Sequence, residues 1–203
     1  MPTKLKDKQQ LDIQPPLIEA QGNPPKNTSY YYEISERTVK NNRVDRDIIL
    51  IRNRRYLGNK QKLLQLIGDI VNDNCKGFES FCDIFAGTGV VGHSFNGKNH
   101  KIISNELLYS NYVSLYTWLS PEPYNNDKID NIIGQLNAIK ADKDNYVSTH
   151  FGNKYFSLDN ARKIGEIRAD IEKRNLSFKE KAILLTSLLY ATDKAANTCG
   201  HYD

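Results

Sequence analysis

One segment constrains the fold of this chain more than any other, the glycine-rich turn Asp83-Ile84-Phe85-Ala86-Gly87-Thr88-Gly89-Val90-Val91-Gly92. Residues 78–85, before the turn, predict a strand, and residues 90–95 after it predict a short helix. Residues 101–104 predict a second strand. Strand, turn, helix and strand in this order form a βαβ unit, so we expect an α/β fold with a parallel sheet.

The same turn has the residue types of a nucleoside-binding site. Gly87 permits a tight turn, Gly89 lets a ligand approach the backbone, and the following helix start offers free N–H groups. Glu106 lies at the end of the second predicted strand, 19 residues after Gly87. A carboxylate at that position can accept both hydroxyls of an adenosine ribose. The alternative is a strand–helix turn that binds no ligand.

Two nucleoside ligands compete for this turn. The segment matches G-x-G-x-x-G from Gly87 to Gly92, which is typical of dinucleotide sites. Asp83, just before the turn, would repel a diphosphate but would attract a ligand with a positive centre. S-adenosylmethionine carries both a sulfonium and an ammonium group. The sequence therefore favours S-adenosylmethionine and leaves a nicotinamide dinucleotide, as used by an oxidoreductase, as the alternative.

The start of the chain has a different composition. Five of the seven prolines lie in residues 1–25, and residues 1–60 carry 12 Lys and Arg against 7 Asp and Glu. We interpret residues 1–44 as a disordered or extended leader, because such a stretch buries little apolar surface. A basic cluster at Arg52, Arg54, Arg55 and Lys60 can contact nucleic-acid phosphates or can be an ordinary solvated segment.

The second half of the chain predicts helices. Apolar residues recur with helical spacing over residues 107–119 and 129–139. Ser157 is a predicted N-cap, and Ser177 followed by Glu180 has the spacing of a capping box. We therefore divide the chain into the leader 1–44, a cofactor-binding α/β part over 45–119 and a helical region over 120–203.

In order along the chain, these segments resemble the N-terminal part of adenine-N6 DNA methyltransferases of the Dam-like group. The resemblance rests on Tyr56-Leu57-Gly58-Asn59-Lys60, on Asp83 to Gly89, on Ser104-Asn105-Glu106, and on residues 184–191 with 196–202. It implies a Rossmann-like methyltransferase domain with a partial sheet, followed by a helical DNA-recognition insertion. It also implies S-adenosylmethionine as cofactor, double-stranded DNA as partner and a role in restriction-modification.

The resemblance also assigns roles to residues. Gly87, Thr88 and Gly89, with Ala86, are expected to form the cofactor turn, Asp83 to lie near the methionine ammonium, and Glu106 to bind the ribose. Four further residues are expected to complete the pocket: Tyr56, Gly58, Lys60 and Phe85. Either aromatic ring could instead fill a core, and Lys60 could be an ordinary lysine at a helix start.

The family's catalytic loop, Asp-Pro-Pro-Tyr or a close variant, has no counterpart here. Asn23-Pro24-Pro25-Lys26 lacks the preceding strand and the aromatic residue, and Pro121-Glu122-Pro123-Tyr124 follows a helix. We therefore name no catalytic residue and expect a truncated or split enzyme, inactive alone, whose C-terminal half could be a separate chain. A non-catalytic subunit that binds DNA or a partner is a further alternative.

The remaining composition excludes several classes of protein. No uncharged apolar run is long enough to span a membrane, and no apolar run follows the charged N-terminus as in a secretory signal. Cys75, Cys82 and Cys199 have neither disulfide nor zinc spacing, and the four histidines share no metal-ligand spacing. We expect a cytoplasmic protein without a metal site.

Overall fold

The structure is a computed structural model that describes residues 10, 11, 13, 58, 60–96 and 100–197. The chain divides into two compact units, which are treated separately below. One unit comprises Leu17–Leu119, and the other comprises Met1–Pro16 with Ser120–Asp203. In the described part of the chain, no helix combines the length and the apolar character needed to cross a membrane.

The unit Leu17–Leu119 contains the βαβ element. After a 3-10 turn at Gln61–Leu63, its elements are α1 Leu64–Asn74, β1 Ser80–Asp83, α2 Val90–Ser94, β2 Lys101–Ser104 and α3 Tyr109–Leu119. The two strands are parallel, with Ser80 opposite Lys101 and Asp83 opposite Ser104. The prediction of a mixed α/β fold with a parallel sheet is confirmed.

Helix α2 covers one face of this two-stranded sheet. A Cβ atom added at Gly92 would lie 3.2 Å from both the Ile102 Cγ2 and the Ser104 Oγ atoms, so the glycine permits the close approach of α2 to β2. Side chains alternate along both strands, and Cys82 and Ile103 lie on the opposite, exposed face. The covered face therefore directs Asp83 and Ser104 toward the glycine turn and α2.

Four helices lie in the part of the helical unit that the structure describes, and each has a polar N-cap. They are α4 Asn126–Asn137, α5 Tyr146–Phe151, α6 Leu158–Lys173 and α7 Phe178–Ala195. The side chains of Asn125, Asn145, Ser157 and Ser177 accept hydrogen bonds from the first turns of these helices in that order. The predicted cap at Ser157 and the capping box of Ser177 and Glu180 are confirmed.

The core of this unit lies between α6 and its neighbours α5 and α7. Ile167 and Ile171 of α6, and Leu184 of α7, are fully buried. Ala161 and Ala182 let the helices approach closely, and both are fully buried as well. Ala161, Ile167 and Ile171 lie on one face of α6, and this is the face that packs.

The bounds of several elements differ from the sequence expectation; helix α4, for example, covers Asn126–Asn137 rather than 129–139. Strand β1 ends at Asp83 and does not reach Phe85, because its ladder with β2 has four pairs and the chain then enters the turn. Helix α3 begins at Tyr109 and not at Leu107, because Glu106 accepts a hydrogen bond from Leu108 N–H ahead of the helix. Helix α5 was not predicted.

Of the predicted leader 1–44, the structure describes Gln10, Leu11 and Ile13. The side chains of Leu11 and Ile13 are buried, a feature that the sequence did not single out. The basic residues Arg52, Arg54 and Arg55 lie outside the described residues, and the three domain ranges stay a prediction.

Candidate functional site

The glycine turn connects β1 to α2 through two residues with left-handed backbone. Gly87 has a φ of 55° and Gly89 a φ of 84°, and the Gly89 N–H donates to the Ala86 carbonyl at 2.8 Å. Left-handed backbone costs an L-residue about 1 kcal/mol or more, so glycine fits both positions. Ala86, Thr88 and Gly89 are buried and Gly87 is half-buried, so the turn lies against the protein.

Glu106 joins this turn to the end of β2. The Gly87 N–H donates to Glu106 Oε2 at 2.7 Å, and the Leu108 N–H donates to Oε1 at 3.1 Å. Partial burial raises the pKa of Glu106, but hydrogen bonds from the backbone of Leu108, Gly87 and Leu107 outweigh it and hold the pKa below its usual value. The group is therefore an ionised acceptor that is fixed in position at neutral pH.

Asp83 and Ser104 form a polar pair beneath the turn. They lie opposite each other at the ends of β1 and β2. The Asp83 Oδ2 and Ser104 Oγ atoms are both buried and have no hydrogen-bond partner among the residues that the structure describes. A buried oxygen without a partner is costly, and such atoms mark places where a ligand donor fits.

Lys60 brings the segment before α1 to the same turn. Its Nζ atom donates to the Phe85 carbonyl at 2.5 Å. Gly58, two residues earlier, is exposed, has a φ of 83° and has open space where a Cβ would stand. The resemblance implied one pocket with Tyr56, Gly58, Lys60 and Phe85, and the structure brings Lys60 and Phe85 together.

Exposed apolar side chains surround the turn. Phe85 is 75% exposed, so its ring does not fill a core in this structure. Leu107 and Tyr109, one and three residues after Glu106, are 95% and 61% exposed. An exposed aromatic ring is a surface on which a planar base can stack.

One further residue supports the site and received no role from the sequence. The Asn105 side chain donates from Nδ2 to the Ile84 carbonyl at 3.0 Å, while the main-chain carbonyl of Asn105 accepts from the Ala86 N–H at 3.1 Å. These bonds fasten the end of β2 to the start of the glycine turn. Its position beside Glu106 at a strand end, where Asn favours turns, was the available signal.

The described site residues form one cluster in the unit Leu17–Leu119. Asp83, Phe85, Ala86, Gly87, Thr88, Gly89 and Glu106 lie on the two strand ends and the turn, Lys60 bonds to that turn, and Gly58 precedes Lys60. Tyr56 lies outside the described residues. The roles of these residues in binding stay a prediction.

The two carboxylates at this turn, Asp83 and Glu106, fit S-adenosylmethionine better than a dinucleotide. An orphaned carboxylate oxygen at Asp83 offers an acceptor to an ammonium group and opposes a diphosphate. Backbone N–H groups occupy part of the acceptor capacity of Glu106, and a carboxylate offers about four lone-pair sites, so acceptor capacity remains for a ribose hydroxyl. Among the described residues, no three His, Cys, Asp or Glu side chains lie together so as to hold a metal ion.

Comparisons with known proteins identify the family. The profile of D12 class N6 adenine-specific DNA methyltransferases matches residues 56–203. Type II methyltransferase M.CviAII of Paramecium bursaria Chlorella virus 1 is 34% identical over 70% of this chain and 46% of that protein. Modification methylase LlaI of Lactococcus lactis is 33% identical over 73% of this chain and 26% of that protein.

A third relative, type II methyltransferase M.NlaIII of Neisseria lactamica, is 29% identical over 72% of this chain and 47% of that protein. The chain thus spans between about a quarter and about half the length of these relatives. No solved structure matches it significantly. The family profile covers most of the chain, and the relatives named methyltransferases or methylases agree with it, so this chain belongs to the D12 class N6 adenine-specific DNA methyltransferases.

Proposed function

We propose that this chain supplies the S-adenosylmethionine site of a DNA adenine-N6 methyltransferase of a restriction-modification system. The observation that carries the proposal is the pair of carboxylates at the glycine turn. Glu106 is fixed by the N–H of Gly87, and Asp83 keeps a buried oxygen without a described partner. A ligand with a ribose at one end and an ammonium at the other meets both.

Each residue has a distinct part in this site. Glu106 accepts the ribose hydroxyls, and Asp83 accepts from the methionine ammonium. Ala86, Gly87, Thr88 and Gly89 form the turn against which the ligand lies. Phe85 stacks on the ligand with its exposed ring, while Lys60 fixes the Phe85 carbonyl. Tyr56 and Gly58 complete the pocket, as the resemblance implies.

S-adenosylmethionine, when bound, supplies an activated methyl group for transfer to a nucleophilic nitrogen. The residues of this chain contribute by positioning, because they hold the donor through its ribose and its amino-acid end. The 203 residues contain no Asp-Pro-Pro-Tyr loop that could receive a flipped adenine. We therefore expect no methyl transfer from these residues alone, and we expect transfer to need such a loop, supplied by the same chain or by a separate one.

The wider architecture is part of the same proposal. We infer a Rossmann-like domain around β1 and β2 and a DNA-recognition role for the helical region, with double-stranded DNA as partner. Arg162, Arg168 and Arg174 each pair with a carboxylate in the structure, so their charges give no separate support for DNA binding. The DNA-recognition role therefore rests on the family resemblance. A DNA substrate and three cysteines without paired spacing favour the cytoplasm.

Calorimetric titration with S-adenosylmethionine tests the cofactor site, with NADH as the comparison ligand. We expect binding of S-adenosylmethionine and no binding of NADH. The Glu106→Ala change should weaken the affinity by about tenfold or more, because two ribose hydrogen bonds to a charged acceptor are lost. Glu79→Ala is the matched control, since Glu79 is an exposed carboxylate ahead of β1.

Two outcomes of this titration would contradict the proposal. Heat from NADH and none from S-adenosylmethionine would support the oxidoreductase alternative. Equal affinity in the Glu106→Ala and Glu79→Ala variants would remove Glu106 from the site. Transfer of a labelled methyl group to DNA, absent with these residues and restored when residues with an Asp-Pro-Pro-Tyr loop are supplied, tests the requirement for that loop separately.

A further inference from the structure

Leu11 and Ile13 lie far outside the family match and yet are among the most buried residues described. The match begins at residue 56. Leu11 is 2% exposed and Ile13 is 1% exposed, and both belong to the unit that contains the helices α4 to α7. Two residues from a polar, proline-rich stretch are therefore part of the core of the helical unit.

Side chains of α4 and α6 satisfy every main-chain polar group of these two residues. The Leu11 N–H donates to Asn160 Oδ1 at 3.1 Å, and the Leu11 carbonyl accepts from Lys163 Nζ at 3.3 Å. The Ile13 N–H donates to Asn137 Oδ1 at 2.8 Å, and its carbonyl accepts from Asn137 Nδ2 at 2.7 Å. A buried strand normally needs a neighbouring strand to satisfy these groups, and here three side chains replace it.

Lys163 of α6 also forms a hydrogen bond to α4. Besides the Leu11 carbonyl, its Nζ atom bonds the Asn137 carbonyl at 2.9 Å, at the C-terminal end of α4. The last carbonyls of a helix lack partners within the helix, and a lysine there is favourable. The three polar side chains are therefore close together, with Asn137 at the end of α4 and with Asn160 and Lys163 one turn apart on α6.

We propose that Asn137, Asn160 and Lys163 form a groove that binds an extended peptide with hydrophobic residues at alternate positions. In this chain, Leu11 and Ile13 occupy the groove. Main-chain hydrogen bonds provide the affinity of such a mode, and pockets for alternate side chains provide its specificity. Leu11 and Ile13 have that alternate spacing, and both of their side chains are buried.

A peptide-binding measurement on the full chain tests this proposal. In the Leu11→Asp/Ile13→Asp variant, the chain's own segment can no longer bury its side chains, so the groove is free. A fluorescein-labelled peptide of residues 7–16 should then bind the variant, measured by fluorescence anisotropy. The unchanged chain should bind it at least about tenfold more weakly, because its groove is filled. The peptide with the same two aspartates should bind neither.

A substitution in the groove itself provides a second test if the double variant folds poorly. In the otherwise unchanged chain, Lys163→Met should speed amide hydrogen exchange at Leu11 and Ile13 by about tenfold, because a charged donor is lost. Arg168→Met is the matched control on the same helix, since Arg168 pairs with Glu172 on the exposed side. Equal exchange in the two variants, or equal peptide binding by the unchanged chain and a folded double variant, would overturn the proposal.

Discussion

Two carboxylates at the ends of neighbouring strands have opposite surroundings. Glu106 receives backbone hydrogen bonds that hold its pKa below the usual value, although its burial acts in the other direction. The Asp83 Oδ2 atom is buried and has no described partner. Residues that cost stability in the free protein are common where a ligand supplies the missing interaction. A substitution at Asp83 should therefore change ligand affinity and the free energy of unfolding in opposite directions.

The Asp83→Asn change should stabilise the free chain and weaken the binding of S-adenosylmethionine. Removing a poorly satisfied charge should raise the free energy of unfolding by about 1 kcal/mol. Loss of the carboxylate should lower the affinity by about tenfold or more. Denaturant unfolding and calorimetric titration measure the two effects.

Glu79→Gln is the control for this change. It removes an exposed carboxylate just before β1, so both quantities should stay close to those of the unchanged chain. A lower free energy of unfolding in Asp83→Asn, together with unchanged affinity, would mean that Asp83 has a structural role only.

Sequence patterns identified single residues where the chemistry is local. Gly87, Gly89 and Glu106 could be singled out because turn residues and a strand-end acid follow a fixed order. The bond from Lys60 to the Phe85 carbonyl and the burial of Leu11 could not, because both join residues that are distant in the chain. Only the folded arrangement brings such groups together.

Among the helical elements, those with strong local signals were predictable and α5 was not. Ser157 and Ser177 precede long helices with regular apolar spacing. Helix α5 has six residues, and its capping box uses Asn145 and Ser148, a pair without the usual Glu or Gln. Tertiary contacts hold this helix, since the Asn145 Nδ2 atom donates to the Arg162 carbonyl at 2.7 Å.

Two helical glycines should respond to the same substitution with opposite signs. A Cβ atom at Gly165 of α6 would lie 2.2 Å from Asn145 Oδ1, and Asn145 is held by its own hydrogen bonds. Gly165→Ala should therefore lower the free energy of unfolding by about 1–3 kcal/mol. Gly134→Ala in α4 should raise it by about 0.5–1 kcal/mol, because that site is open and alanine favours a helix.

Thermal and denaturant unfolding of the two variants decide this point. The same substitution in the same unit removes differences of chemistry, so only the local space differs. If Gly165→Ala were as stable as Gly134→Ala, the contact between α5 and α6 would be looser than the structure indicates.

The ion pair between α4 and α7 gives a pH-dependent prediction. Lys128 Nζ lies 2.7 Å from Glu180 Oε1, and the Ser177 N–H donates to Glu180 Oε2 at 2.9 Å. The hydrogen bond from Lys128, followed by that from Ser177, holds the pKa of Glu180 below its usual value. The stabilisation is therefore fully present above the unfolded pKa and is lost as the pH falls through the folded pKa.

A double-mutant cycle with Lys128→Met and Glu180→Gln measures this coupling. It should be about 0.5–1 kcal/mol at neutral pH, because Lys128 is partly exposed. It should stay constant down to about pH 5 and disappear by about pH 2. The exposed pair Arg168 and Glu172 should give a smaller coupling, and a Lys128–Glu180 coupling that grows in acid would contradict this interpretation.

At the scale of the whole molecule, the sequence located the βαβ element and the helical region that follows it. It did not show that the start of the chain belongs to the helical unit, because Leu11 and Ile13 have no periodic neighbours to mark them. Family membership then adds what neither strand order nor helix spacing contains, the class of reaction.

The most direct test of the proposed cofactor site is amide hydrogen exchange across the chain with and without saturating S-adenosylmethionine. Binding at the proposed site predicts slower exchange in residues 84–89 and 104–108, and no change in residues 126–195. The protection should vanish in Glu106→Ala and persist in Glu79→Ala. Protection confined to the helices, or none in the glycine turn at a concentration that saturates binding, would contradict the assignment of this site.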